Sequence, residues 1–335
     1  MRYSSINILT VYLIFIMLLF ACRSYAQNED DAQSKVASSY EELFPAMANN
    51  DNAFFPIASL KSSPSLLEKK IVADLSLAAE YALKNGVLTP TAQKITEKYS
   101  TIENILTNIA NKKHCTPPLH DGSIEYESIS RYFQIISNYI VLKAFQAVRN
   151  SDDDFINAVS SMFLLFNISS SYISSFPDFV VSTSILTKCI SISNWYLEHC
   201  ATRSGARRIA VCISSLRDIQ ASYARALNGD LIRNMMQLKL VMNCRATKGT
   251  TLTEENVQNM NNTVLLQSKI VQGLLSDRSM PLGTLADLVR ESNAITCTKQ
   301  LPVCSDYILP RPDFPLSLEA SLRNILVATL RRASE

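Results

Sequence analysis

Glycine is scarce in this chain, with seven residues among 335 where average usage would supply roughly two dozen. Gly86, Gly122, Gly205, Gly229, Gly249, Gly273 and Gly283 each stand alone. Tight hairpins and βα turns depend on glycine and on Asn-Gly pairs, so their shortage argues against a sheet-based fold. No two glycines are spaced for G-x-G-x-x-G, and neither G-x-x-x-x-G-K-[ST] nor G-x-S-x-G occurs. Phosphate cradles and nucleophile elbows of those kinds are therefore excluded. Histidine is scarcer still: His114, His120 and His199 are the whole supply, without H-E-x-x-H or H-x-x-x-H, and no C-x-x-C accompanies them. His114, Cys115 and His120 lie close in sequence, but Pro117 and Pro118 interrupt them. The spacing of a zinc site is absent, and no metal or cofactor is expected.

What is present begins with Ile6–Phe20, a fifteen-residue apolar run behind Arg2 and ahead of small residues. That order is the one of an export signal, with Ser24-Tyr25-Ala26 before a cleavage point at Gln27. Leu19-Phe20-Ala21-Cys22 also resembles the lipoprotein box of bacteria, which would make Cys22 the lipidation candidate. The run is short of the roughly 20 residues a membrane-spanning helix needs. The expected destination is outside the cytoplasm, periplasmic or extracellular, with a lipid anchor if Cys22 is acylated. Loss of residues 1–26 takes Arg2 and Arg23 and no acid, leaving 30 basic and 30 acidic residues. Net charge then draws the chain to neither nucleic acid nor anionic lipid, so a membrane is expected as a partner only through Cys22.

Beyond Cys22, the cysteines are Cys115, Cys189, Cys200, Cys212, Cys244, Cys297 and Cys304. In an exported protein these are disulfide candidates first. Cys297 and Cys304 could close a small loop around Pro302. Cys200 and Cys212 lie symmetrically about residue 206, beside a turn expected at Arg203–Gly205, and form the second expected pair. The odd number leaves one thiol free or shared with another chain.

The apolar periodicity is helical almost throughout, and an all-α fold of antiparallel helical hairpins is expected. Residues 27–50 are an acidic tether, 51–111 an N-terminal hairpin started by Ser63-Pro64 and by Thr89-Pro90, and 112–127 a linker loop. A central domain of hairpins spans 128–278, and a loop with a docking helix fills 279–335. Within the centre, helices are expected over about 128–149, 155–175, 177–200, 205–227 and 230–244. Thr251 and Glu254 form a capping box for the next, and a short helix is expected over 284–292. Asn150-Ser151-Asp152 and Asn228-Gly229-Asp230 are read as turns 78 residues apart, with Ala147 and Ala158 where helices can approach closely. Over residues 128–246 this pattern is similar to tetratricopeptide-type helical-hairpin arrays. The resemblance implies a short repeat array that binds through a groove between helices. The Trp, Leu-Gly, Tyr and terminal Pro signature of that family has no counterpart, and an irregular bundle is the other architecture.

No catalytic constellation emerges. Leu288-Val289-Arg290-Glu291-Ser292 resembles the Glu-Ser core of lytic transglycosylases, but the Gly-Leu-Met-Gln stretch that should follow is missing. Asp152–Asp154 fit the anionic first turn of a helix better than a calcium loop. Arg203, Arg207 and Arg208 cluster at one turn and suit an acidic partner or a solvated face. Asn167 and Asn261 stand in N-x-[ST] sequons, which matter only along a eukaryotic secretory route. The expectation is an exported helical binding or scaffolding protein whose partner is a protein or peptide of the cell envelope. The alternative is an envelope enzyme, with Glu291 or His199 the first residues to suspect.

Overall fold

In the computed structural model the residues described are 39–44, 49–63, 67–98, 100–120, 123–124, 129–148, 151–248, 253–276, 282–299 and 314–334. The signal segment, Cys22 and Cys304 lie outside them. Among the described residues the fold is all-helical apart from a two-residue antiparallel ladder that pairs Leu119–His120 (β1) with Ser123–Ile124 (β2).

Local signals start and stop most helices. After a short turn Tyr40–Leu43 (α1) and Phe54–Ala58 (α2), the helix Lys69–Asn85 (α3) ends on Gly86, whose φ of 68° supplies the left-handed cap. A Cβ at Gly86 would also lie 2.8 Å from Cε2 of Trp195. Pro90–Lys98 (α4) follows with the Thr89 hydroxyl accepting from the Ala92 amide, and Ser100–Ile109 (α5) comes next. Ser130–Ala147 (α6) is apolar nearly all round, and is accordingly enclosed by α2, α3, α4 and the two helices that come after it. Those are Asp152–Tyr172 (α7), capped by Ser151 with three aspartates in its first turn, and Phe176–His199 (α8), capped by Ser175.

Downstream of α8 the observed boundaries depart from expectation. Arg203–Ser214 (α9) is a short helix capped by Thr202, and the chain breaks at Ser215–Asp218 instead of at Asn228-Gly229-Asp230. The Asp218 carboxylate then caps Ile219–Lys248 (α10) by accepting from the amides of Gln220 and Ala221. Asn228, Gly229 and Asp230 sit inside this uninterrupted helix and are buried. Packing explains them: a Cβ on Gly229 would lie 2.6 Å from the carbonyl carbon of Ser174, so only glycine lets α10 cross the α7–α8 corner at this distance. Asp230 accepts from the Phe176 amide at 3.0 Å and pairs with Arg233. The 78-residue spacing therefore links a true turn to a helix crossing, and one of the two turns behind the repeat resemblance is absent.

Glu254–Ser276 (α11) is capped by the Thr253 hydroxyl, two residues later than the expected Thr251 cap. Leu282–Lys299 (α12) is twice the expected length and takes in Cys297, and Phe314–Ser334 (α13) closes the fold. Helix α10 packs on α11, α11 on α12, and α13 lies along α9, α8 and α10. Within the tract expected to be a tether, α1 docks on α10: Tyr40 donates to the Gly229 carbonyl at 3.3 Å, and Arg225 stacks over Phe44 and donates to the Leu43 carbonyl. Buried residues from Ala53 to Ile325 belong to one apolar cluster.

Candidate functional site

Corrections to the cysteine reading come first. Cys115, Cys189, Cys200 and Cys212 are all free thiols. The expected Cys200–Cys212 bridge presumed a turn at Arg203–Gly205, but α9 already begins at Arg203. Cys200 thus caps the end of α8, while Cys212 rides roughly 14 Å up the next helix, where its thiol points to the Ser160 hydroxyl at 3.5 Å. For the Cys297–Cys304 pair, the side chain of Cys297 and the whole of Cys304 lie outside the described residues. Burial pushes the Cys115 and Cys189 thiols well up, with Asp178 adding to the first and Cys212 to the second. Cys200 is raised by partial burial and by Asp152, yet its residue is exposed. In native buffer a maleimide should therefore label Cys200 and leave Cys115 and Cys189 until denaturant is added. Peptide mapping of the adducts reads this directly, and an unlabelled Cys200 linked to Cys212 would contradict it.

The histidines hold surface structure together. His199 stacks on Trp195 with centroids 4.8 Å apart, and its Nδ1 lies 2.8 Å from the Trp195 carbonyl. His114 Nδ1 faces the Arg217 guanidinium at 2.7 Å; because arginine can only donate, this nitrogen accepts. Backbone 119–120 enters the short ladder, and the side chain of His120 lies outside the described residues; among the described residues no group of three or more His, Cys, Asp or Glu is placed to hold a metal. Glu291 lies on the exposed side of α12. Asn167 is occupied as a structural residue, accepting from the Arg217 amide at 3.0 Å and donating to the Ser215 carbonyl. Asp152 of the acidic turn takes Tyr196 at 2.6 Å and Thr202 at 2.7 Å, so it closes the α8–α9 corner.

Two buried polar centres were not legible in advance. Asp178 accepts from the Ser174 amide at 3.1 Å, from the hydroxyls of Ser174 and Ser175 at 2.8 Å each, and from the hydroxyl of Ser130. It also receives the reciprocal cap, its amide donating to Ser175 Oγ, so Ser175-Phe176-Pro177-Asp178 is a capping box extended to α6. The S-x-x-D spacing was the available signal. Lys188 on α8 donates to Ser137 Oγ at 2.8 Å and Asn138 Oδ1 at 2.6 Å across the α6 seam. Burial lowers its pKa to about 8, against smaller raising effects from Cys189 and Glu80.

Lys188 makes stability pH-dependent in a definite sense. The unfolded chain holds this proton up to about pH 10.4, while the folded one releases it near 8. The unfolded state thus binds more protons between these values, and stability rises with pH across them. The free-energy gap between wild type and Lys188→Met should move in favour of wild type by up to about 3 kcal/mol between pH 7 and pH 10.5. Urea unfolding of both proteins across that range measures it. Parallel curves would show that Lys188 carries its proton equally in both states.

Compared with known protein families, curated proteins and solved structures, the chain matches none. Function must be read from its own surface.

Among the described residues, the outer side of the α9–α13 pair sets arginines beside exposed aliphatic side chains. Helices α9 and α13 run antiparallel, tied at one end by Arg203 donating to the Ser334 carbonyl and Arg332 donating to the Ala201 carbonyl, both at 3.4 Å. Their inner faces bury Ala206, Ile209 and Ile213 from one helix and Leu322, Ile325, Thr329 and Ala333 from the other. The outer stripes carry Arg203, Arg207 and Val211 at i, i+4 and i+8, and Arg323, Val327, Leu330 and Arg331 at i, i+4, i+7 and i+8. Pairing residue 203 with residue 334 in antiparallel register brings residue 211 level with residue 326, next to Val327 in sequence. These valines are 67% and 63% exposed, and Leu330 is 39% exposed. Leu77 and Tyr81 on α3 are also exposed, but among Glu80 and Lys84 of opposite sign.

Proposed function

We propose that this chain is an exported, non-catalytic binding protein whose working surface is the outer face of the α9–α13 pair. The observation that carries the reading is the interleaving of solvent-facing Val211, Val327 and Leu330 with Arg203, Arg207, Arg323 and Arg331. Exposed apolar side chains set among arginines are the composition of a surface built to be covered. The architecture proposed with it is an irregular bundle of antiparallel helical pairs, supported by the unbroken passage of α10 through residues 228–230. The surface positions of Glu291 and His199, on separate helices, weigh against the envelope-enzyme alternative.

The test is a triple variant, Val211→Ser/Val327→Ser/Leu330→Ser, in which every change lies on solvent-facing positions. Wild type should sediment with large assemblies or membranes in extracts of its source cells, and the variant should stay in the light soluble fraction with an unchanged urea midpoint. Equal distribution of the two proteins would remove the α9–α13 face from consideration.

A further inference from the structure

We infer that the surface of α10 covered by α1 is a docking groove for a short amphipathic helix with aromatic, leucine and aromatic side chains at i, i+3 and i+4, and that α1 fills it as a competitor carried by the same chain. The site shares no residue with the α9–α13 face, so the two readings stand or fall separately.

The seated segment shows what the groove takes. Tyr40, Leu43 and Phe44 are buried, while Glu41 and Glu42 between them are exposed. Anchors at that spacing are how a helix laid in a groove is recognised. A single turn has little stability of its own, yet this one carries its own start signal. Ser39 Oγ accepts from the Glu42 amide at 3.4 Å, and Glu41 and Glu42 stand at the positive end of the turn. The Phe44 amide closes the turn on the Tyr40 carbonyl at 2.8 Å. These bonds all lie within residues 39–44, so a peptide of the same sequence brings them with it.

The groove supplies the rest. Arg225, Gly229, Ile232 and Met236 follow at i, i+4, i+7 and i+11 along α10. Arg225 donates to the Leu43 carbonyl, one of those a helix leaves open at its C-terminal end, and its guanidinium lies over the Phe44 ring, 4.9 Å from the centroid. One cation thus engages both the end of the turn and the ring beside it. At the other end the Gly229 carbonyl accepts from the Tyr40 hydroxyl at 3.3 Å. Tyr40, Leu43, Phe44 and Ile232 form an apolar cluster of their own, with Leu119 and Met236 packed against it, apart from the main core. Departure of α1 therefore takes no side chain out of that core. A segment tethered in the same chain acts at a local concentration on the order of 1 mM, which weakens an outside peptide of about 100 µM affinity by about tenfold.

The experiment is fluorescence anisotropy of a labelled peptide of residues 36–47 with three full-length proteins: wild type, Tyr40→Ala/Phe44→Ala, and that double variant with Arg225→Ala added. The double variant, its groove vacated, should bind the peptide about tenfold more tightly than wild type. Adding Arg225→Ala should remove most of that gain, and a peptide carrying the Tyr40→Ala and Phe44→Ala changes should bind none of the three. Urea unfolding accompanies the titrations, and the double variant should keep a cooperative transition. A folded double variant that does not take up the peptide overturns the inference, as does wild type binding it equally well or the Arg225→Ala protein binding it as tightly as the double variant. Loss of the cooperative transition in the double variant also overturns it, because α1 would then be a wall of the core and not the occupant of a groove.

Discussion

Gly229→Ala destabilises the fold by at least about 3 kcal/mol, the cost of forcing a side chain into packed backbone. In an open helix the same change would stabilise by about 1 kcal/mol, because alanine is the better helix former. The sign is therefore diagnostic. At Gly229 the new methyl would stand 2.6 Å from the Ser174 carbonyl carbon and 3.1 Å from its Cα. Backbone on the α7–α8 corner cannot rotate away as a long side chain would. Movement of α10 would also disturb Tyr40, which donates to the Gly229 carbonyl, and the Asp230 contact to Phe176. Gly283 on α12 is the control, since a methyl there meets nothing within 4 Å, and Gly283→Ala should be neutral or mildly stabilising. Urea unfolding of the two variants compares them, and equal midpoints would mean that α10 does not cross the corner at this glycine.

Asp178→Ala is expected to cost a similar or larger amount, about 3–5 kcal/mol, through a different cause. Its carboxylate is 7% exposed and accepts from Ser130, Ser174 and Ser175 on two sides of the corner. Hydrogen bonds to a charged acceptor contribute about 1.5–3 kcal/mol each, and removing the acceptor leaves donors without it in a closed space. The first turn of α8 also loses its acid. Asp178→Asn keeps the shape and part of the bonding, so its loss should be about half. Equilibrium unfolding of the series Asp, Asn, Ala separates charge from packing. An Ala variant as stable as wild type would mean that the serines find water or one another without penalty.

The contrast between these residues shows what sequence could disclose. The capping signal at Thr89 is local, and the structure uses it as read. Helix α6, expected over about 128–149, forms close to those bounds and is packed from several sides. Asn228-Gly229-Asp230 carries an equally strong local signal for a turn, and here tertiary contact overrides it. Glycine serves close approach and aspartate serves a distant amide, neither of which leaves a mark within a ten-residue window. Cys200 and Cys212 failed as a pair because α9 already begins at Arg203, where a turn was expected, and carries Cys212 about 14 Å from its start. The α9–α13 face was half visible. Arg203, Arg207 and Arg208 stood out as a cluster, but their partners Arg323, Arg331 and Arg332 lie over a hundred residues later. Only the antiparallel docking of α13 on α9 brings the two segments together.

The binding role of that face is tested most directly by a photoreactive diazirine amino acid placed at Val211 or Val327 and activated in the cells that make the protein. Leu77 and Leu265 are the comparison sites, since both are similarly exposed on other helices. Adducts at 211 and 327, absent at 77 and 265 and lost on Arg207→Glu/Arg331→Glu, are the predicted result. Adducts of equal yield at all four positions, or at 77 and 265 alone, would contradict the assignment of this face.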